Sequence, residues 1–143
     1  MTHRPDIRPL TLFADKPVYV VGLGASGMAA AHGLRAGGAK VLCWDDNQAT
    51  RDTATAQGFN IDDPATSSRL EEAAALVLAP GIPLTHPAPH PAVLAAQTAG
   101  IEILGDIELL FRAQPKARYV GITGTNGKST TTALVGHILR QGG

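Results

Sequence analysis

The sequence predicts an α/β fold in which a parallel β-sheet is flanked by helices. Short apolar runs alternate along the chain with segments of helical pattern, an order typical of such folds. The first run, Pro17–Val21, ends at a glycine-rich turn, which is followed by a helical pattern and by a second run, Lys40–Trp44. Two parallel strands need a crossover between them, so these residues predict a βαβ unit that begins the sheet.

The first helix is predicted from apolar spacing and from its stop signal. Ala, Met and Leu recur at helical intervals over residues 25–35, and Gly37 with Gly38 ends the pattern. Residues 47–68 are polar and indistinct. The elements expected before residue 80 are a helix over 48–57, a short strand near Phe59, a helix over 70–75 and a strand over 76–79.

Residues 80–91 hold five of the ten prolines in the chain. Proline lacks the helix donor and clashes with the preceding turn, so this stretch predicts a rigid loop. The elements expected after it are a helix over 92–99 that ends at Gly100, a strand over 101–104, and a helix through Ile107 and Phe111 that Asp106 caps.

A break at Pro115 separates the last strand and helix, expected over 117–123 and 128–140, from the rest of the chain. One strand and one helix cannot bury their apolar faces alone. We therefore expect one domain over residues 1–113 and the start of a second, truncated domain over 114–143. On this interpretation the sequence is an N-terminal fragment of a longer protein.

The composition is typical of a soluble globular protein. Apolar residues make up 44% of the chain and charged residues 17%, and twelve basic residues balance twelve acidic ones. No basic surplus indicates binding to nucleic acid or to an anionic membrane. A signal peptide and a run of about 18 apolar residues are both absent, so we expect a cytoplasmic protein. The single cysteine, Cys43, lies in an apolar run and indicates a small buried side chain.

A first glycine-rich loop, Gly22-Leu-Gly-Ala-Ser-Gly27, matches the pattern G-x-G-x-x-G between a strand and a helix. Gly22 permits the tight turn, Gly24 lets the backbone approach a phosphate, and Gly27 lets helix and strand pack closely. An acidic residue about 20 positions on is expected to reach a ribose, and Asp45 or Asp46 lies there. The loop predicts a uridine or nicotinamide nucleotide diphosphate; the alternative is that its glycines serve helix packing alone.

A second glycine-rich loop contains Gly124, Thr125, Asn126, Gly127, Lys128, Ser129 and Thr130. It is a variant of the phosphate-binding pattern G-x-x-x-x-G-K-[ST], because Ile122 occupies the first glycine position. Backbone N–H groups of such a loop cradle phosphate, Lys128 reaches the terminal phosphates, and Ser129 offers its hydroxyl to Mg²⁺. We predict an ATP site here, with Thr130 assisting at the phosphate. The alternative is a chance Gly-Lys-Ser at a helix start.

Together the two loops resemble those of the Mur ligases, the ATP-dependent amide-forming enzymes of peptidoglycan precursor synthesis. The second loop is similar to the ATP loop of that family, in which Ile122 is normal. The first loop, the proline-rich stretch 79–87 and residues 100–110 are most similar to the D-glutamate-adding branch of the family. The resemblance covers nearly all of the chain from Val18 to Gly143 and is weaker over residues 47–74.

The resemblance implies a Rossmann-like N-terminal domain that holds the UDP part of the substrate. The residues that it implies at the pyrophosphate and uridine are Gly22, Gly24, Ala25, Ser26, Gly27, Asp45, Asp46, Asn47 and Gly81. Relatives can carry a basic residue where this chain has Asn47, so that one contact departs from the family pattern.

The reaction that the resemblance implies joins D-glutamate to UDP-N-acetylmuramoyl-L-alanine. ATP phosphorylates the substrate carboxylate, the amine attacks the acyl phosphate, and ADP and phosphate are released. Lys128, as the catalytic residue, and Mg²⁺ would stabilise charge on the transferred phosphoryl group. The other Mg²⁺ ligands and the amino-acid pocket of the family lie beyond these residues, so we expect no ligase activity from this fragment alone.

Three other functions remain open from the sequence. One is a Mur ligase that adds a different amino acid. Another is an NAD-dependent oxidoreductase, which leaves the second loop unexplained. The third is a non-catalytic nucleotide-binding module.

Other polar and aromatic residues are given structural interpretations. His86 and His90 lie four apart in the proline-rich loop, where we expect loop surface rather than a metal pair. Trp44 is expected to pack under the sheet edge rather than to stack on a base. Asp106 and Glu108 are expected to cap a helix and to line a solvated face.

Overall fold

A computed structural model describes residues 7–142. Within them one parallel sheet contains β1 (Pro17–Val21), β2 (Lys40–Trp44), β3 (Asn60–Ile61), β4 (Ala75–Leu78) and β5 (Ile103–Gly105). The α-helices are α1 (Ala25–Ala36), α2 (Gln48–Ala56), α3 (Pro91–Thr98), α4 (Asp106–Ala113) and α5 (Lys128–Gln141), and 3₁₀ turns lie at Thr11–Phe13 and Leu70–Glu72. The predicted α/β class is confirmed.

The strand order is β3-β2-β1-β4-β5, with every neighbouring pair parallel. In register, Tyr19 of β1 lies between Leu42 of β2 and Leu76 of β4. The chain therefore builds outward from β1 to β3 and then returns to the other side of β1. In open sheets of this kind, ligands bind outside the carboxyl ends of the strands where the order reverses, which here is between β1 and β4.

The central strands are buried on both faces of the sheet. Val18 of β1 packs in one apolar cluster with Leu34 of α1, and Tyr19 packs in a second cluster with Val93 of α3. Side chains alternate along a strand, so a helix layer on each face requires a nearly continuous apolar run. Cys43 is fully buried, as predicted, and burial raises the pKa of its thiol to about 12.

Most predicted element boundaries agree with the structure within one or two residues. The predicted helix over 70–75 is shortened to a 3₁₀ turn, because Ala75 already pairs with Val18 in the sheet. Pro91 begins α3, where its fixed φ suits the first helical position. The predicted cap of α4 is wrong by one position: Gly105 is the N-cap residue, and Asp106 is the first residue of the helix.

The predicted strand over 117–123 is wrong, because this segment forms no regular structure. Val120 is 74% exposed, and no strand of the described sheet runs beside the segment to complete its hydrogen bonds. Instead, the hydroxyl of Tyr119 donates to the carbonyl oxygen of Gln114 at 2.8 Å. Its ring meets Phe111 edge to face, with 4.3 Å between centroids, so the segment is tied to the end of α4.

The final helix, α5, forms over the residues where the sequence predicts it. None of its residues is buried, and the side chains of Leu134, Ile138 and Leu139 are 57%, 58% and 65% exposed. The apolar side chains of α5 thus lack the packing that covers the other long helix, α1. Among residues 7–142, no helix combines the length and apolar character required to cross a membrane.

Candidate functional site

The candidate site lies at the carboxyl ends of the strands, where the strand order reverses. The loops after β1, β2 and β4 bring Gly22–Gly27, Asp45–Asn47 and Gly81 to this edge. Beside them lies a cavity of about 560 Å³, with Ile82 and Asp106 in its wall. The structure therefore gathers the residues predicted for the first nucleotide at one edge of the sheet.

A larger groove of about 950 Å³ lies along α1 and α4. Its wall is mainly apolar, with Leu10, Leu109 and Leu110 among its residues. It meets the strand-end site at Ser26, and it shares Asp106 and Ile107 with the smaller cavity. Binding sites combine apolar walls with convergent polar groups. The polar groups that converge here belong to the strand ends, so we place the candidate site there rather than in the larger groove.

The three glycines of the first loop differ in their surroundings. Gly22 has a φ of 86°, and a Cβ atom there would lie 2.7 Å from Cγ1 of Ile82. A Cβ atom at Gly27 would lie 1.7 Å from the carbonyl oxygen of Gly22, so α1 packs directly on the turn. Among the described residues, no atom outside Gly24 and its two chain neighbours lies within 4 Å of a Cβ atom built at Gly24. Packing therefore requires Gly22 and Gly27, whereas Gly24 leaves open space at the start of α1.

Asp45 fixes the backbone of two loops. Its Oδ2 atom accepts a hydrogen bond from the amide of Leu23 at 2.7 Å, and its Oδ1 atom accepts one from the amide of Asn47 at 2.9 Å. Asn47 in turn caps α2, because its Oδ1 atom accepts the N–H of Ala49 at 2.9 Å. The Asp45 carboxylate thus joins the glycine-rich turn after β1 to the start of α2.

His90 differs from the predicted loop-surface residue, because its side chain is only 10% exposed. Its Nε2 atom lies 3.1 Å from Oδ2 of Asp46, and its Nδ1 atom accepts the amide N–H of Ala92 at 3.1 Å. The ring of His86 contacts only the neighbouring Thr85 hydroxyl among the described hydrogen bonds. Within residues 7–142, no three His, Cys, Asp or Glu side chains form a group able to hold a metal ion.

Arg51 is a residue of this edge that the sequence analysis did not identify. Its guanidinium lies 4.6 Å from the centroid of the Trp44 ring and donates to the carbonyl oxygen of Asp46 at 2.9 Å. Trp44 packs against the apolar cluster on one face of the sheet, as predicted, and its Nε1 atom donates to Oδ1 of Asp46 at 3.3 Å. Sequence spacing could have identified Arg51. It lies one helical turn after the N-cap Asn47, and residues four apart on a helix are neighbours on its surface.

The starts of α1 and α4 lie together at the other side of the cavity. The hydroxyl of Ser26 donates to the carboxylate of Asp106, and Ala25 beside it is exposed. Helix N-termini carry unpaired N–H groups and the positive end of the helix dipole. At α4 the Asp106 carboxylate already lies there and accepts the N–H of Ile107, so it is the start of α1 that favours an anion. Gly81 is exposed on the loop after β4, with no atom within 4 Å of a Cβ atom built there.

The second loop is a separate cluster of backbone amides before α5. Gly124 and Gly127 have φ values of 151° and 79°, and Nζ of Lys128 folds back to donate to the carbonyl oxygen of Gly124 at 2.8 Å. Among the described residues, no hydrogen bond within the protein uses the amides from Thr125 to Ser129. The loop therefore keeps its donors and its cation together, which suits a phosphate group.

The comparisons with known sequences agree on one family. The family model described as Mur ligase MurD-like, N-terminal domain, matches residues 16–105. A UDP-N-acetylmuramoylalanine–D-glutamate ligase from Nitrobacter hamburgensis is 54% identical over 139 residues, which cover 94% of this chain and 30% of the relative. The ligase of the same name from Caulobacter vibrioides is 48% identical over 141 residues, with the same two coverages. The chain thus spans about 30% of the length of these relatives.

A solved structure shares the fold at low sequence identity. The shikimate dehydrogenase of Aquifex aeolicus superposes with a TM-score of 0.50 and 17% identity, over 75% of this chain and 46% of that chain. Identity this low supports the fold alone. The superposition confirms the predicted Rossmann-like arrangement of the sheet and its helices.

Proposed function

The chain belongs to the MurD-like Mur ligases, and from that premise we propose that it carries the UDP-substrate site and the ATP loop of a ligase that adds D-glutamate to UDP-N-acetylmuramoyl-L-alanine. The observation that carries the proposal is the presence of two separate clusters of backbone amides, at Gly22–Gly27 and at Gly124–Ser129. A dehydrogenase uses one such cluster, whereas a ligase with a nucleotide-linked substrate and ATP uses both.

We assign the pyrophosphate of the UDP substrate to the open space at Gly24. The amides of Ala25 and Ser26 begin α1 there, where helix N–H groups and the helix dipole attract an anion. The uridine end is assigned to Asp45, Asp46 and Asn47 after β2, with Gly81 approaching from the loop after β4. Asp45 contributes by holding the turn, because both of its oxygens accept backbone N–H groups.

The second loop is proposed to hold the ATP phosphates, and its residues fit that role. Gly127 takes the left-handed conformation directly before α5, and the Lys128 ammonium folds back to the carbonyl oxygen of Gly124 in the same loop. Ser129 and Thr130 begin the helix, and the Ser129 hydroxyl is the ligand that we assign to Mg²⁺. When bound, ATP would supply the phosphoryl group that converts a carboxylate, a poor acyl donor, into an acyl phosphate, and Mg²⁺ would neutralise charge on the phosphate oxygens.

The role of this chain in that reaction is to bind and to neutralise charge. Lys128 is proposed to stabilise negative charge on the transferred phosphoryl oxygens, while the first loop holds the far end of the substrate in place. We place the reaction in the cytoplasm. We propose that the last residues of the chain are the start of a central ATP-binding domain. Because the chain spans about 30% of its relatives' length, we also propose that its 143 residues have no ligase activity alone.

Parallel calorimetric titrations of the full-length protein with UDP, NAD and Mg-ATP test the proposal. We expect UDP and Mg-ATP to bind and NAD not to bind. Lys128→Ala should abolish ATP-dependent turnover while UDP affinity stays unchanged. NAD binding without UDP binding, or normal turnover of the Lys128→Ala protein, would refute the ligase assignment. Turnover with another amino acid in place of D-glutamate would support a different branch of the family.

A further inference from the structure

The His90 imidazole connects two loops that reach the candidate site from different strands. Its Nδ1 atom accepts a hydrogen bond from the amide of Ala92 at the start of α3. An amide N–H can only donate, so Nδ1 carries no proton and the neutral ring is protonated at Nε2. The Nε2–H group therefore donates to the Oδ2 atom of Asp46, 3.1 Å away.

The loop between β4 and α3 crosses the glycine-rich turn on its way to Asp46. Near the start of the loop, Ile82 packs closely on Gly22. A Cβ atom built at Gly22 would lie 2.7 Å from the Cγ1 atom of Ile82. At the end of the loop, the amide of His90 donates to the carbonyl oxygen of Pro83 at 3.0 Å. His90 is thus held by its own loop and by α3 before it contacts Asp46.

The two partners differ strongly in exposure. The side chain of His90 is 10% exposed, whereas that of Asp46 is 73% exposed. A carboxylate so exposed would sample several rotamers, but two donors act on this one: His90 on Oδ2, and the Trp44 indole on Oδ1 at 3.3 Å. Because the ring is the more buried partner, we infer that His90 orients Asp46 rather than the reverse.

We propose that His90 is a positioning residue for the nucleoside end of the UDP substrate, acting through the Asp46 carboxylate that its Nε2–H group holds. The inference rests on the proposed function, which assigns Asp46 to that end of the substrate. Since the same ring caps α3 through Nδ1, the contact also sets the distance between the loops after β2 and β4. A substrate that lies between these loops would meet a preorganised carboxylate.

One substitution separates the two roles of the ring. His90→Asn retains a side-chain oxygen that can accept the Ala92 amide, because asparagine is a good N-cap residue, but it is too short to reach Asp46. His90→Ala removes both contacts. The control is His86→Ala in the same loop, since that ring contacts only Thr85 among the described hydrogen bonds. Asp46→Ala, alone and combined with His90→Asn, completes a double-mutant cycle.

The full-length protein and each variant are titrated with UDP, and KM for the UDP substrate and kcat are measured. We expect His90→Asn to weaken UDP binding and to raise KM by roughly fivefold to tenfold, the loss of about one hydrogen bond, with kcat unchanged. In the Asp46→Ala background, His90→Asn should cause no further loss of UDP affinity. His86→Ala should bind UDP as the unmodified protein does.

Unchanged UDP affinity in His90→Asn, or an equal loss in the Asp46→Ala background, would overturn the positioning role while leaving the UDP site in place. A loss confined to His90→Ala would assign the ring to helix capping alone and would also overturn it. Failure of the unmodified protein to bind UDP would instead remove the proposed function, and this inference with it.

Discussion

The carboxylate of Asp45 accepts a hydrogen bond from the amide of Leu23 at 2.7 Å. Leu23 lies inside the glycine-rich turn after β1, and Asp45 follows β2, so the contact joins the ends of two adjacent strands. An acidic residue at this distance from a glycine-rich loop is usually assigned to a ribose. Here the carboxylate stabilises the loop itself, and this contact and the proposed role at the nucleotide make different predictions.

Asp45→Ala should destabilise the fold as well as weaken UDP binding. Hydrogen bonds from backbone N–H groups to a charged acceptor contribute about 1.5–3 kcal/mol each when well buried, and Asp45 is half-buried. We therefore expect a loss of about 1–3 kcal/mol in the free energy of unfolding, measured by urea titration. The control is Asp52→Ala, because Asp52 is exposed on α2 and, among the hydrogen bonds of residues 7–142, accepts one from Gln48 alone. Equal stability of the two variants would contradict the role in the loop.

Gly24→Ala and Gly27→Ala should separate binding from folding within one loop. A methyl group at Gly27 would lie 1.7 Å from a backbone oxygen, so we expect a loss of about 3 kcal/mol in stability. A methyl group at Gly24 meets nothing within 4 Å, so the free energy of unfolding should change by less than about 1 kcal/mol. UDP affinity should nevertheless fall about tenfold or more, because the methyl group occupies the space assigned to phosphate. Unaltered UDP binding by Gly24→Ala would refute that assignment.

Local signals in the sequence were sufficient for the sheet and for the first loop. Pro17–Val21 and the part of β2 from Val41 to Trp44 are apolar because both sheet faces are covered, and such runs are recognisable without tertiary information. The strand expected over 117–123 also contains apolar residues, Tyr119, Val120 and Ile122, but no strand of the described sheet lies beside it. Strand formation depends on a partner that the run itself does not encode.

The site residues that were missed depend on tertiary contacts. His90 meets Asp46 across 44 positions in sequence, and the contact arises only because the loop after β4 crosses the end of β1. Arg51 lies beside Trp44 because α2 starts where β2 ends. Residue spacing predicted the backbone amides of the loops, but it does not predict which side chains from separate loops meet above them.

Stability should fall at alkaline pH through Tyr19. Burial, followed by the hydrogen bond to Asp62, raises the pKa of its phenol from 10.0 to about 12. The unfolded chain releases this proton above about pH 10 while the folded chain keeps it, so the contribution is complete below pH 10 and is lost as the pH rises towards 12. Urea titrations from pH 8 to 11 should show this decline. In Tyr19→Phe the stability should be lower below pH 10 but should decline less steeply; parallel curves for the two proteins would contradict this assignment.

Amides of α5 should exchange with solvent much faster than those of α1 in the isolated 143-residue chain. The two helices have similar lengths, 14 and 12 residues, but Leu34 of α1 is fully buried whereas Leu134 of α5 is 57% exposed. A helix of this length without tertiary packing is marginal in water, and protection from exchange follows local stability. Hydrogen exchange measured by mass spectrometry on a dilute monomer compares them directly. In the full-length protein we expect protection of α5 to rise towards that of α1, because further chain would cover its apolar side chains. Equal protection of the two helices in the isolated monomer would show that α5 needs no such cover.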